Sequence, residues 1–159
     1  MGCIKMKRII MTVGLPGSGK STYLNKHATG VVVSRDKIRF AKLAEGEDYF
    51  AHEKEVWNTY INNINTLLDI EGVVNIFLDA THLDPSSRNK VLRAIDTEKA
   101  DEIIALYFDI PLEVCLERNA KREGRAYVPE EVIHKMAARL TFPRTNEPFT
   151  KIYKITDKE

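Results

Sequence analysis

The chain has 159 residues, of which 43% are hydrophobic and 30% charged, and its formal net charge at pH 7 is +1. This length suits one domain with one core over residues 1–159, and the balanced charge excludes a long basic track, so any contact with a polynucleotide must come from a local patch. No apolar run reaches the length of a membrane span, and the basic N-terminus lacks the apolar core of a signal peptide. We therefore expect a cytoplasmic protein that makes no contact with a membrane.

The most informative stretch is residues 14–21, with the sequence GLPGSGKS. It fits the pattern G-x-x-x-x-G-K-[ST] of a phosphate-binding loop, and its setting is the one that this pattern requires. Residues 8–13 are mostly apolar and predict a strand before the loop, whereas residues 21–27 can form a helix after it. The full match in this setting argues against a glycine-rich turn without function.

The residue types in this loop explain the chemistry that it could perform. Glycines permit backbone angles that turn successive N–H groups inward as a nest for phosphate oxygens, and the following helix adds its positive N-terminus. Lys20 would reach the β- and γ-phosphates of ATP, and the hydroxyl of Ser21 would bind Mg²⁺. The predicted ATP-binding residues of this stretch are Gly14, Pro16, Gly17, Ser18, Gly19, Lys20, Ser21 and Thr22.

Asp36 is the candidate general base. Residues 30–33 predict a short second strand, and Asp36 follows its carboxyl end, where open α/β sheets bind their ligands. An acceptor hydroxyl could meet the γ-phosphate at this place. The alternative is that Asp36 only caps the helix that runs through residues 38–43, because Asp and Ser are common N-cap residues.

A long amphipathic helix is predicted over residues 49–71, with Gly72 as its C-cap. Trp57 and Tyr60 could line a substrate groove, but aromatic residues at helical spacing favour the core. Residues 73–78 then predict a buried strand that ends in Asp79. Such an ending resembles a Walker B strand, whose carboxylate would lie behind the Mg²⁺.

Thr81 and His82 follow this strand and would project into the same crevice. For His82 the alternative is a solvent-facing loop histidine without a role in binding. Residues 84–86 turn the chain into the next helix, which carries Arg88.

The C-terminal part predicts a strand at residues 102–108, helices at 112–121 and from 129, and an edge strand at 151–155. Three arginines lie within eight positions beside Gly124: Arg118, Arg122 and Arg125. They suggest a lid over the nucleotide, because a guanidinium can meet two phosphate oxygens at once. The alternative is a solvated helix face paired with acidic neighbours. The alternation of strands and helices predicts a three-layer α/β/α sandwich with a mainly parallel sheet of about five strands.

Residues 8–140 resemble the phage-type polynucleotide 5′-kinases and their P-loop kinase relatives. The resemblance is carried by the motifs GLPGSGKST, SRDKIR, DATHLDP, FDIP and RNAKR, in this order. It implies a P-loop kinase fold, ATP and Mg²⁺ as cofactors, nucleic-acid 5′ ends of DNA or RNA as partners, and transfer of the γ-phosphate to a 5′-hydroxyl. The Asp-x-Asp-x-Thr pattern of the phosphatase that often accompanies these kinases does not occur in the chain. No 3′-end activity is therefore predicted.

The resemblance also assigns roles by motif. The family's general base falls on Asp36, and its arginine for the acceptor's 3′-phosphate falls on Arg39, with Thr81 helping to position that phosphate. Its lid arginine for the transferring phosphate falls on Arg122, and Arg118 would lie near the donor. Position 82, usually asparagine in the family, is His82 here, which leaves its role open.

The complete set of candidate residues has three parts. The predicted catalytic residues are Lys20, Asp36 and Arg122, with Arg118 and Arg122 added to the ATP-binding set. The predicted acceptor-binding residues are Arg35, Asp36, Arg39, Thr81, His82 and Arg88, and the predicted metal ligands are Ser21 and Asp79.

Two other functions are compatible with the phosphate-binding loop. A small-molecule kinase of the same fold would share its ATP side, and the balanced charge favours that function slightly. A nucleotide-dependent switch or assembly ATPase would show an Asn-Lys-x-Asp motif, or a glutamate after the Walker B aspartate. The chain lacks the first motif, and Asp79 is followed by Ala80. The sequence therefore favours phosphoryl transfer over a switch.

Overall fold

The computed structural model describes residues 6–156 of the chain. Its centre is a five-stranded sheet of β1 (Arg8–Val13), β2 (Val31–Ser34), β3 (Asn75–Asp79), β4 (Glu102–Phe108) and β5 (Lys151–Ile155). The order across the sheet is β2-β3-β1-β4-β5, and all four pairings are parallel. The predicted α/β fold is confirmed, with a sheet that is wholly rather than mainly parallel.

Six α-helices connect these strands within residues 6–156. They are α1 (Lys20–His27), α2 (Arg35–Lys42), α3 (Glu53–Asp69), α4 (Pro85–Ala94), α5 (Leu112–Ala120) and α6 (Glu130–Arg139). Short 3-10 turns follow α4 at Thr97–Lys99 and α5 at Gly124–Ala126. None of the helices in this part of the chain has the length and apolar character needed to cross a bilayer.

Helices cover both faces of the sheet. Ile9 of β1 belongs to a core cluster with Ile64 of α3, whereas the next residue, Ile10, belongs to a second cluster with Leu24 of α1. Side chains on successive strand residues point to opposite faces, so β1 needs apolar residues on both of its faces. A third, smaller cluster joins the loop after β1 to α5 and consists of Leu15, Leu83 and Cys115.

The strand order determines where the functional crevice lies. From β1 the chain crosses to the edge strand β2, returns to β3 beside β1, and then continues to β4 on the other side of β1. The carboxyl ends of β1, β2 and β3 therefore lie side by side. In open parallel sheets the crevice for ligands forms at this kind of reversal in strand order.

The prediction for the third helix is wrong at both ends. The helix stops at Asp69, and its C-cap is Ile70 rather than Gly72. α3 begins at Glu53 rather than at residue 49, and Tyr49 lies in the loop before it. Asp48 accounts for the difference because it starts a turn: its carboxylate accepts a hydrogen bond from the backbone N–H of Phe50 at 3.2 Å, and its carbonyl accepts one from Ala51 at 3.0 Å. The late start leaves the Tyr49 side chain free of the helix.

The aromatic residues of α3 are divided between core and edge. Tyr60 is fully buried, as predicted. Trp57 is only partly buried, and it packs against the same cluster while the cations of Arg35 and Lys90 lie 5.5 Å and 4.6 Å from its ring centroid. The core interpretation therefore holds fully for Tyr60 and only in part for Trp57.

Candidate active site

The phosphate-binding loop lies between β1 and α1 and packs against α5. Gly17 and Gly19 have φ angles of 82° and 89°, in the left-handed region that favours glycine. A Cβ atom at Gly17 would lie 2.6 Å from the carbonyl oxygen of Cys115. Both positions therefore require glycine, for backbone angle and, at Gly17, also for space.

Lys20 is the first residue of α1 and is buried. Its ammonium group donates hydrogen bonds to the carbonyl oxygens of Gly14, at 3.0 Å, and Leu15, at 2.7 Å. Burial lowers the pKa of Lys20 to about 8, against the opposing effect of the Asp79 and Asp36 carboxylates. The lysine is thus held over the loop, with both aspartates close enough to influence its charge.

Ser21 and Asp79 are brought together at the ends of α1 and β3. The Ser21 hydroxyl donates a hydrogen bond to the Asp79 Oδ2 atom at 2.8 Å, and Asp79 is buried. Mg²⁺ prefers oxygen ligands and usually binds through one or two carboxylates together with substrate phosphates and water. The donor set of this pair fits that ion.

Asp36 does not cap α2. The N-cap residue is Ser34, whose hydroxyl accepts a hydrogen bond from the backbone N–H of Lys37 at 3.2 Å. The side chain of Asp36 is 59% exposed, and its Oδ1 atom accepts hydrogen bonds from Arg39 and from the Tyr49 hydroxyl. The capping alternative is therefore wrong, and the carboxylate remains accessible at the carboxyl end of β2.

Arg39 and Arg35 are both anchored to Glu53, the first residue of α3. Arg39 donates to Glu53 Oε1 at 2.7 Å, and Arg35 donates to Glu53 Oε2 at 3.2 Å. The Arg39 side chain is only 6% exposed, so an acceptor phosphate would have to compete with its carboxylate partners. Arg35 has a buried Nε atom that no other described residue pairs with.

Two residues that follow β3, Thr81 and His82, make different kinds of contact. The carbonyl oxygen of Thr81 accepts a hydrogen bond from Gly14 N–H at 3.0 Å, which ties this segment to the phosphate-binding loop. His82 is 4% exposed, and its ring contacts the Thr12 carbonyl oxygen at 2.6 Å and the Tyr60 hydroxyl at 3.3 Å. Neither predicted place for His82, in the acceptor site or facing solvent, is correct.

The environment keeps His82 neutral. Burial lowers the pKa of its imidazole to about 4, although the hydrogen bond to the Thr12 carbonyl oxygen acts in the opposite direction. The carbonyl can only accept, so Nδ1 carries the proton and Nε2 accepts from the Tyr60 hydroxyl. His82 thus connects β1 and α3 beneath the crevice.

The prediction that Arg88 binds the acceptor is also wrong. Arg88 is fully buried and forms a two-pronged ion pair with Glu147, at 2.7 Å and 3.0 Å. Its remaining donors bond to the carbonyl oxygens of His82 and Thr141. Sequence alone could not reveal this, because Glu147 is 59 residues further along the chain.

The predicted lid follows α5. Arg118 is exposed and donates a hydrogen bond to the Gly17 carbonyl oxygen at 3.3 Å, so it reaches the phosphate-binding loop. Arg122 is also exposed, and its charge contributes to the low pKa of Lys20. The side chain of Arg125 lies outside the described part of the structure.

Sequence reasoning missed three residues that shape the site. Tyr49 and Glu53 hold the arginines and Asp36, as described above. Asn119 joins the end of α5 to the segment before α6, through bonds to Val128 N–H at 3.0 Å and to its carbonyl oxygen at 2.6 Å. Asn119 lies within the RNAKR motif, but no sequence pattern gave any of the three residues a role, because their partners are set by tertiary packing.

The matched range of a known family covers this arrangement apart from Glu147. A profile of the AAA domain family matches residues 9–143, which run from β1 to just beyond α6. The chain belongs to the AAA domain family. Every candidate residue of the site lies within the matched range of this AAA domain.

Two relatives of this AAA domain have names that describe different classes of protein, a kinase and a transcription factor. It is 29% identical over 124 residues to an adenylyl-sulfate kinase of Lactiplantibacillus plantarum, a match that covers 72% of the chain and 56% of that kinase. It is 25% identical over 150 residues to the transcription factor bHLH140 of Arabidopsis thaliana, which covers 91% of the chain and 15% of that protein. The chain thus spans well under two thirds of either relative's length.

A solved structure is similar over most of the chain. One chain in the structure of the Pnkp1/Rnl/Hen1 RNA repair complex aligns with this AAA domain at a TM-score of 0.72 and 25% sequence identity. The alignment covers 87% of this chain and 45% of that chain.

Proposed function

We propose that this AAA domain is an ATP-dependent kinase that phosphorylates the 5′-hydroxyl end of DNA or RNA. The observation that carries the proposal is the meeting of three features in one crevice: Lys20 over the phosphate-binding loop, the Ser21–Asp79 pair, and the accessible carboxylate of Asp36. The first two suit ATP, and the third suits an acceptor hydroxyl.

In the proposed reaction Asp36 accepts the proton of the acceptor hydroxyl. The hydroxyl oxygen forms a bond to the γ-phosphorus as the bond to the β–γ bridging oxygen breaks, and ADP leaves. Lys20 and Arg122 hold the negative charge on the transferring phosphate, and Arg118 contacts the donor. Phosphoryl transfer requires little covalent chemistry from a protein, so most of the acceleration comes from positioning and electrostatics.

Ser21 and Asp79 would hold the magnesium ion of the ATP complex. When bound, Mg²⁺ neutralises charge on the β- and γ-phosphates. Asp79 is buried and already bonded to Ser21, so both oxygens are in place before the nucleotide arrives.

The choice of a polynucleotide acceptor is supported by the motif order and by the similarity to a chain of the RNA repair complex. Arg35, beside Asp36, has a buried Nε donor that pairs with no described residue, and in this proposal it turns toward an acceptor phosphate. In this proposal Thr81 lines the same side of the crevice, and Arg39 would reach the acceptor only by exchanging a carboxylate partner. A small-molecule acceptor is the second candidate, because an adenylyl-sulfate kinase is 29% identical to the chain over 124 residues.

The test is transfer of labelled γ-phosphate from ATP and Mg²⁺ to four acceptors compared side by side: a 5′-hydroxyl oligonucleotide, a 3′-mononucleotide, a free nucleoside and adenylyl sulfate. We expect label on the oligonucleotide. Asp36→Ala should reduce this transfer at least about a hundredfold, because general-base catalysis contributes that much, while ATP binding stays nearly unchanged.

The matched control is Asp69→Ala, which removes an exposed carboxylate at the end of α3. Its transfer rate should equal that of the wild type. Label on a small acceptor alone would replace the polynucleotide proposal by the second candidate. Equal loss of transfer and ATP binding in Asp36→Ala would contradict the role given to Asp36.

A further inference from the structure

We infer that Tyr49 is a positioning residue for Asp36, an inference that rests on the proposed role of Asp36 as general base. The Tyr49 hydroxyl donates a hydrogen bond of 2.6 Å to Asp36 Oδ1. Arg39 donates to the same oxygen. Among the described residues both contacts fall on Oδ1, so Oδ2 remains available to accept the proton of a substrate hydroxyl.

Asp36 needs these two hydrogen bonds to hold its carboxylate in one orientation. More than half of its side chain is exposed, and an exposed carboxylate can rotate about its bond to Cβ. Two donors on one oxygen select a single orientation. A general base must lie within hydrogen-bond reach of the proton that it removes, so this orientation determines how often the reaction geometry is met.

Tyr49 is itself held from several sides. The Arg39 guanidinium lies 4.3 Å from the centroid of the Tyr49 ring, and its Nη1 atom donates a hydrogen bond to the Tyr49 oxygen at 2.8 Å. The rings of Phe50 and Phe40 pack edge-on against it, with centroid distances of 4.8 Å and 6.3 Å. These contacts fix the position of the Tyr49 ring, and the hydroxyl oxygen attached to the ring is therefore fixed as well.

Burial and the neighbouring charges keep the Tyr49 hydroxyl protonated, so it remains a hydrogen-bond donor. Burial, followed by the Asp36 charge and its hydrogen bond, raises the pKa of the Tyr49 hydroxyl well above its usual 10, and Arg39 only partly offsets this. Tyr49 therefore keeps its proton while Asp36 gains one from the acceptor. The anchor of the network is Glu53 at the start of α3, which pairs with Arg39 and Arg35.

The experiment compares Tyr49→Phe with the wild type, using ATP, Mg²⁺ and a 5′-hydroxyl oligonucleotide. The variant keeps the ring and its packing and removes only the hydroxyl. We expect kcat to fall roughly tenfold, equivalent to about 1.4 kcal/mol in the barrier. The KM values for ATP and for the oligonucleotide should stay within about twofold, because the hydroxyl touches neither substrate in the proposed complex.

The control variant is Tyr153→Phe, on the far edge strand β5, and it should leave both parameters unchanged. An unchanged kcat in Tyr49→Phe, with an active wild type, overturns the inference alone. A parallel change in kcat and KM with a lower unfolding midpoint assigns Tyr49 a structural role and also overturns it. A wild type that transfers nothing to the oligonucleotide overturns the proposed function, and the inference with it.

Discussion

At the scale of single residues, the crevice contains an unusual lysine. Lys20 is buried among backbone carbonyl groups, and water cannot stabilise its charge as it does on the surface. Asp79 and Asp36 compensate only in part, so the pKa stays near 8. In the free protein the pKa of the lysine therefore lies well below its usual 10.5, whereas bound phosphates would favour its charged form.

We predict that ATP affinity depends on pH through Lys20. Above about pH 8 the free protein loses the Lys20 proton, which binding must then restore, so the Kd for ATP should rise by up to about tenfold per pH unit. Titration calorimetry with Mg²⁺-ATP from pH 7 to 9.5 measures this. Lys20→Met should bind more weakly and with a flat profile. An equally steep profile in Lys20→Met would place the titrating group elsewhere.

At the scale of elements, Arg88 joins parts of the fold that are distant in sequence. It lies on α4, and its guanidinium bonds to the segment between α6 and β5 through Thr141 and Glu147. Buried ion pairs contribute little when compared with an apolar pair, but removing one partner leaves an uncompensated charge. We therefore expect the Arg88–Glu147 pair to affect stability mainly in variants that remove one of its two partners.

We predict that Arg88→Met lowers the free energy of unfolding by about 3 kcal/mol, because the Glu147 carboxylate, whose side chain is only 10% exposed, loses its guanidinium partner and keeps the hydrogen bond from Arg144 N–H. Urea denaturation measures the loss. Arg93→Met, an exposed arginine on the same helix, should change stability by less than about 0.5 kcal/mol. A stable Arg88→Met variant with a raised KM for the acceptor would contradict this structural role and support the predicted role of Arg88 in acceptor binding.

At the scale of the whole molecule, stability in acid should depend on His82. Its pKa is about 4 in the folded protein and 6.5 in an unfolded chain. Between these values the unfolded state binds more protons, so stability is lost as the pH falls below 6.5. Because His82 bridges β1 and α3, a charge there would disturb the centre of the fold rather than one loop.

We predict that the wild type loses about 2 kcal/mol of unfolding free energy through this group between pH 6.5 and 5. In His82→Gln this part of the pH dependence should disappear, although the variant will be less stable at neutral pH. The control His134→Gln, at an exposed site on α6, should keep the wild-type slope. Identical slopes in wild type and His82→Gln would show that His82 does not titrate in this range.

Much of this arrangement could be predicted because its determinants are local. The glycine positions of the phosphate-binding loop follow from backbone angles that only glycine adopts readily, and β1 shows the mostly apolar sequence of a strand buried on both faces. Asp36 and Asp79 could be placed because the carboxyl ends of parallel strands meet at one edge of a sheet.

The errors concern partners that are remote in sequence. His82 and Arg88 looked like crevice residues because each follows β3 closely, yet both are buried by Tyr60 and Glu147, which no local pattern connects to them. Tyr49 was hidden inside a predicted helix. The sequence alone thus determined the strand–loop–helix units and the chemistry at their ends, since these depend on neighbouring residues. The tertiary structure decided which polar side chains stay accessible, because burial depends on contacts between elements far apart in the chain.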